Sequence, residues 1–241
     1  MSSVRLWESD STLRFLLLLP VGMALSGLAM EGLARGVGVT EVPRPAWLLA
    51  VGTGLFHGVA LCVVHGIVRA HGLRWRGAFG LFRAGWPGRW RAAMFWTVPA
   101  LVGAWGIHQG SIWLLEWASI PYDSQASVEA VRRAGAGAGW EIGVLFLFAV
   151  VTAPVVEEVL FRGILWPVVR DRGWRVAGAM GVSLLFALIH LNAAAILPLW
   201  VLGLFWTWMY ERTGDLTVPI LSHALFNGIN FAWLLGVEPG G

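Results

Sequence analysis

Glu157 and Glu158 stand side by side in an apolar stretch, Ala153-Pro-Val-Val-Glu-Glu-Val-Leu-Phe-Arg-Gly163. Two adjacent carboxylates in such a run cannot both be ionised without compensation. Arg162 supplies it: it follows Glu158 by four residues, falls on the same helical face and can pair with that carboxylate. Glu157 points about 100° away around the helix and is left free. A free carboxylate held in apolar surroundings is a natural proton acceptor. The plainer reading, in which these three residues merely end a helix at the cytoplasmic interface, stays open on this stretch alone.

Two later stretches add polar groups. Phe186-Ala-Leu-Ile-His190 closes one apolar run, and Ser222-His-Ala-Leu-Phe-Asn227 lies inside another. A single histidine in an apolar helix is more often a hydrogen-bonded core residue than a reactive one. Here His223 and Asn227 are four apart and share one face, and Pro219 a turn earlier suits a helix start. His190 is a third group, brought by a different helix. Counted along ideal helices, Glu157 lies about 20 Å and His190 about 24 Å from the inner ends of their segments. His223 lies only about 10 Å from its own, so tilt must make up the difference.

The elements that position these residues are hydrophobic helices. Apolar runs at Leu13–Leu33, Trp47–Val68, Ala92–Leu115, Ile142–Leu160, Val176–Ile189, Ala193–Tyr210 and Val218–Leu235 lie near the ~20 residues a spanning helix needs. The 241 residues are 57% hydrophobic and 13% charged, with a mean hydropathy of +0.70. Soluble domains carry roughly a quarter charged residues, so such a chain could not cover a water-facing surface. The expectation is an all-α, polytopic transmembrane bundle of about seven spans, six to eight.

A net charge of +3 and a pI near 10.0 would suit nucleic acid, but the basic residues fill short connections between apolar runs. Arg69, Arg74, Arg76, Arg83, Arg89 and Arg91 share one connection, and Arg170, Arg172 and Arg175 another. That pattern orients membrane proteins, with basic loops and here the N-terminus in the cytoplasm. It argues for a lipid bilayer as partner and against nucleic acid. Leu73, Trp75, Phe79, Leu81, Phe82 and Trp86, interspersed with the first arginine group, suit a segment lying in the headgroup layer. Cys62, the only cysteine, excludes an intrachain disulfide and is expected to be buried. The first apolar run lacks a clean cleavage site and is expected as a retained helix. Gly135–Gly139 reads as a flexible lead into the next helix. The chain is expected to be one integral membrane domain, with N-terminal helices over 1–138 and core helices over 139–236.

Glu157-Glu158-x-x-x-Arg162, Phe186-x-x-x-His190 and His223-x-x-x-Asn227, in this order, resemble the three motifs of the CAAX prenyl-endopeptidase and bacteriocin-processing (CPBP, or Abi) intramembrane proteases. The likeness covers about residues 140–235. It implies an intramembrane endopeptidase core in the C-terminal half. Glu157 would activate water, His190 would help hold that water, and His223 with Asn227 would stabilise the oxyanion. Glu158 and Arg162 would brace the site, with Phe186 as a supporting residue. These roles agree with what peptide hydrolysis requires, a base for water and donors for the developing charge.

Metal dependence is a separate choice. Glu157, His190 and His223 could also form the three-ligand set of a catalytic zinc with an open fourth position. No His-Glu-x-x-His lies on one helix, and Asn227 beside His223 suits oxyanion stabilisation better, which favours a metal-free glutamic mechanism without cofactor. A non-catalytic peptide-binding or immunity protein and a proton-coupled transporter are the rival classes. The first does not need a free carboxylate facing two histidines, and the second predicts an inverted repeat that the sequence lacks. The substrate would be a membrane-associated protein or peptide. The lysine-free, tryptophan-rich composition points to a bacterial inner membrane, and myxosortase-type sorting enzymes are one subgroup such a chain could join.

Overall fold

Apolar runs separated by arginine- and glycine-containing turns fold into successive helices, with no strand among the described residues. The structure, a computed structural model, describes residues 9–39, 45–83, 85–122, 128, 131–132 and 139–236. Most of the glycine-rich lead at 135–139 and the C-terminal tail lie outside them. Helix α1 is Ser9–Gly36, α2 is Ala46–Ala70, α3 is the short Trp75–Phe79 and α4 is Trp86–Trp117. The long α5 is Gly139–Arg170, followed by α6 (Arg175–Leu188), α7 (Ala193–Thr213) and α8 (Thr217–Gly236). Within α5, two stretches take the wider π-helical form, Leu147–Thr152 and Val159–Leu165. They flank the short α-helical piece Ala153–Glu158 that carries both glutamates.

The protein is a polytopic, all-helical membrane protein. Of the seven expected spans, α1, α2, α5, α7 and α8 are long and apolar enough to cross a bilayer. The other two are helices where expected but fall short in different ways. With 14 residues, α6 reaches about 21 Å. The 32 residues of α4 are ample, but Pro99, His108, Gln109 and Ser111 break its apolar character.

One compact unit comprises residues 1–78, 126–156 and 228–241. Here α1 packs along α2, where the bare α-carbons of Gly22 and Gly52 admit Val59 and Met30. Buried His57 bonds Thr152 Oγ1 at 3.2 Å, while exposed His65 accepts the Trp75 indole N–H at 3.0 Å. Cys62 is exposed rather than buried. On a spanning helix the outer face is covered by lipid, so a small apolar residue gains little from facing inward.

The second unit comprises residues 79–125 and 157–227. It centres on α7, which packs against both α6 and α4. Asn192 caps α7 by accepting the Ala195 N–H at 2.8 Å, and Gly214 ends it in the left-handed region at φ 59°. Buried Asp215 then joins two connections: it accepts the Phe82 N–H at 3.1 Å and the Thr217 N–H at 3.0 Å. A side chain at Gly80, itself at φ 64°, would strike the Gly214 carbonyl oxygen, so the backbones meet directly there. Glu211 on α7 gathers the end of α5, accepting from Trp166 Nε1 at 2.9 Å and Arg170 Nη1 at 2.8 Å. In the expected headgroup segment Arg74, Arg76 and Arg83 are exposed, but Arg89 is buried with its guanidinium over the Phe82 ring. The aromatic face replaces the water Arg89 gives up.

Candidate active site

All seven residues singled out from the sequence fall in the second unit, on α5, on α8 and around the end of α6. The i,i+4 pairing expected on α5 is present: Arg162 Nη1 donates to Glu158 Oε1 at 2.8 Å, and both side chains are fully buried. A desolvated cation needs further support. Arg162 Nη2 donates to the Gly203 carbonyl on α7 at 3.0 Å. Three aromatic faces enclose the guanidinium carbon, with ring centres at 4.7 Å (Phe186), 5.4 Å (Trp206) and 5.9 Å (Phe161). The contact with α7 depends on a glycine. A Cβ at Gly203 would sit 2.8 Å from Ser183 Cβ and 3.2 Å from Arg162 Nη2.

Glu158 has a second partner that the spacing did not suggest. Its Oε1 lies 2.9 Å from His223 Nδ1. A carboxylate can only accept, so the ring proton resides on Nδ1 and Nε2 faces the other way. It faces Glu157, at 3.7 Å from Oε2. That is too long for a direct hydrogen bond yet close enough for strong electrostatic contact. Glu157 makes no close ion pair with Arg162, though each feels the other's charge, and it stands against a histidine. Its side chain keeps 21% exposure, while Glu158 has none. One carboxylate is structural and its neighbour is accessible.

His190 lies in the sharp turn after α6. Its Nδ1 donates to the Phe186 carbonyl at 2.7 Å, which leaves Nε2 of the neutral ring as an acceptor. The next residue, Leu191, turns the chain in the left-handed region at φ 51°, and Asn192 starts α7. Phe186, fully buried, unites the histidines: its ring centre is 4.9 Å from that of His190 and 6.0 Å from that of His223. Asn227 is half-buried on α8, one turn beyond His223.

The structure therefore brings Glu157, Glu158, Arg162, Phe186 and His223 into direct contact and sets His190 against the same phenyl ring. Among the described residues no three His, Cys, Asp or Glu side chains are grouped to hold a metal ion. Each histidine of the trio considered for zinc makes its bond through Nδ1 and so presents Nε2, the nitrogen that would serve a metal or a water alike. Sequence reasoning missed Trp206, Ser222, Thr97 and Gly203. Trp206 is 1% exposed and its ring lies flat on His223, centres 3.9 Å apart and planes 16° apart. Ser222 adjoins His223 in the chain, which is the one signal that could have flagged it.

Residues 139–229 match a family model described as "Type II CAAX prenyl endopeptidase Rce1-like", and the matched stretch contains all seven site residues. A curated protein of Bacillus subtilis (strain 168), named "Putative membrane peptidase YdiL", is 22% identical over 98 residues. That alignment covers 41% of this chain and 39% of the relative, so the chain spans well under half the length of the protein it matches. No solved structure matches the chain. The resemblance read from the three motifs thus holds over the C-terminal core. The match carries no sign of a sorting subgroup.

Proposed function

We propose that this chain is an intramembrane endopeptidase of the CAAX-protease type, hydrolysing a peptide bond in or near the bilayer with water activated by Glu157. The observation that carries the proposal is the pairing of one accessible and one fully buried glutamate on either side of a single histidine. Glu157 Oε2 takes a proton from a water molecule whose oxygen adds to the scissile carbonyl carbon. The resulting oxyanion accepts from Asn227 and from His223 when its Nε2 carries a proton. In that state the His223 imidazolium is balanced by the Glu158 carboxylate at Nδ1. Collapse of the intermediate breaks the C–N bond, and the proton on Glu157 passes to the leaving amine. His190, with Nε2 free to accept, orients the attacking water.

The substrate is proposed to be a membrane-associated protein or peptide, reached from a bacterial inner membrane in which the N-terminus is cytoplasmic. The test is hydrolysis by the purified full chain in lipid vesicles, using isoprenylated and unmodified C-terminal tail peptides and reading products by mass spectrometry. Cleavage of neither, together with unchanged peptide termini in membranes that contain or lack the chain, would leave a binder. Because the mechanism is proposed to be metal-free, activity is expected to survive a strong chelator; loss on chelation and recovery with zinc would instead favour the metal version. Asn227→Ala is expected to lower kcat by about 10²-fold with the fold intact, the usual consequence of removing one oxyanion donor.

A further inference from the structure

Beyond the motif residues, the group in most intimate contact with His223 is Trp206. The two rings are stacked nearly parallel at 3.9 Å, closer than any other ring pair around the site. Its indole is itself fixed from three directions. Phe186 meets it edge-on at 5.8 Å and 88°, and Arg162 approaches its face at 5.4 Å. The third restraint is polar: Trp206 Nε1 donates to Ser222 Oγ at 3.2 Å.

That last bond continues as a chain with one consistent direction. Thr97 Oγ1 donates to the Ala93 carbonyl, which can only accept. Its single proton is then spent, so the 2.7 Å contact between Thr97 and Ser222 must be a donation from Ser222 Oγ. Ser222 in turn has only an acceptor position left for the indole N–H, which can only donate. Every proton in the series Trp206, Ser222, Thr97, Ala93 is therefore assigned, and the indole has one satisfied orientation in a buried setting. Placing the proton donor of a tryptophan at 1% exposure otherwise costs free energy, so rotation of the ring is opposed.

A locked indole locks the imidazole on it. Without the stack, His223 could swing about its side-chain torsions and exchange the bond to Glu158 for one to Glu157. We infer that Trp206 is a positioning residue: its indole face holds the His223 ring with Nδ1 on Glu158 and Nε2 toward Glu157, and so sets the working geometry of the site. This rests on the proposed hydrolytic reading for its kinetic consequence but not for its geometric one.

The experiment uses the full chain in vesicles, comparing wild type with Trp206→Leu and Trp206→Phe. Trp206→Leu keeps an apolar side chain but removes the flat face; it is expected to lower kcat by about 10²-fold while KM stays within about twofold. Trp206→Phe restores a stacking face and is expected to recover kcat to within about fivefold of wild type. In parallel, proton NMR of histidine-labelled protein reads the upfield ring-current shift of the His223 ring protons. That shift should vanish in Trp206→Leu and persist in Trp206→Phe. Wild-type kcat in Trp206→Leu, a loss that Trp206→Phe does not rescue, or a His223 shift indifferent to both changes overturns the inference. Should wild type cleave nothing, the hydrolytic reading fails while the ring shift still decides the positioning claim.

Discussion

Replacing Glu157 by glutamine is expected to reduce peptide hydrolysis by about 10³- to 10⁴-fold, at the upper end of what a positioned base contributes. Glutamine has the same shape and can still accept a hydrogen bond from water, but it cannot take the proton. Little structural loss should accompany the change. Glu157 makes no salt bridge with Arg162, lies 3.7 Å from His223 Nε2, and keeps 21% side-chain exposure. Thermal stability and membrane insertion should therefore match wild type, while kcat collapses with KM nearly constant. Mass spectrometry of N- and C-terminal peptides from membranes carrying each form gives the same comparison on native substrates. Wild-type cleavage by the Glu157→Gln protein would remove the mechanism outright. The Glu158→Gln counterpart should differ in kind, because that carboxylate holds Arg162 and His223 together.

The largest structural effect is expected from Arg162→Ala. Truncation leaves the Glu158 carboxylate buried at zero exposure with only His223 beside it, and it strips the Gly203 carbonyl of its donor. Breaking a buried ion pair from one side costs about 3–5 kcal/mol, enough to deplete the folded form of most domains. It also opens space between Phe161, Phe186 and Trp206, which pack around the guanidinium. The measurable outcome is a sharp fall in the yield and melting temperature of detergent-solubilised protein. The double change Glu158→Gln with Arg162→Met should recover much of that stability, since a neutral pair of similar volume has no stranded charge. Its hydrolytic rate should stay low, because no carboxylate then faces His223 Nδ1. A single Arg162→Ala protein as stable as wild type would contradict the bracing role.

What the sequence made legible was chiefly local. Glu158 and Arg162 pair because residues four apart on a helix are neighbours. Glu157 diverged from Arg162 for the complementary reason. The second bond of Glu158, to His223 at a separation of 65 residues, was not legible, because nothing in either stretch fixes which carboxylate the ring meets. Trp206 was hidden by abundance: it is one of 16 tryptophans, and only the packing distinguishes an indole on a histidine from one at a membrane interface. The depth estimate, which placed His223 well short of Glu157, treated α5 as uniform. Seven of the thirteen residues after Glu157 in α5 are π-helical, and wider turns advance less per residue, which brings Glu157 nearer the level of His223. Helices stand at all seven expected runs, and α6 and α4 miss the plain length-and-apolarity criterion for opposite reasons, length in one and polarity in the other.

The π-helical stretch Val159–Leu165 also constrains how this gene can change over evolutionary time. A π turn accommodates a surplus residue relative to the α turn it replaces, so shedding one codon there would leave a more regular backbone ladder. Because the surplus is absorbed within the stretch, that repair would leave Trp166 and Arg170 near their present orientation toward Glu211. What it would change is the spacing inside the stretch: a codon lost between Val159 and Phe161 would bring Arg162 from four to three residues after Glu158, whereas one lost after Arg162 keeps that spacing. In-frame losses among descendants should therefore fall after Arg162 rather than before it.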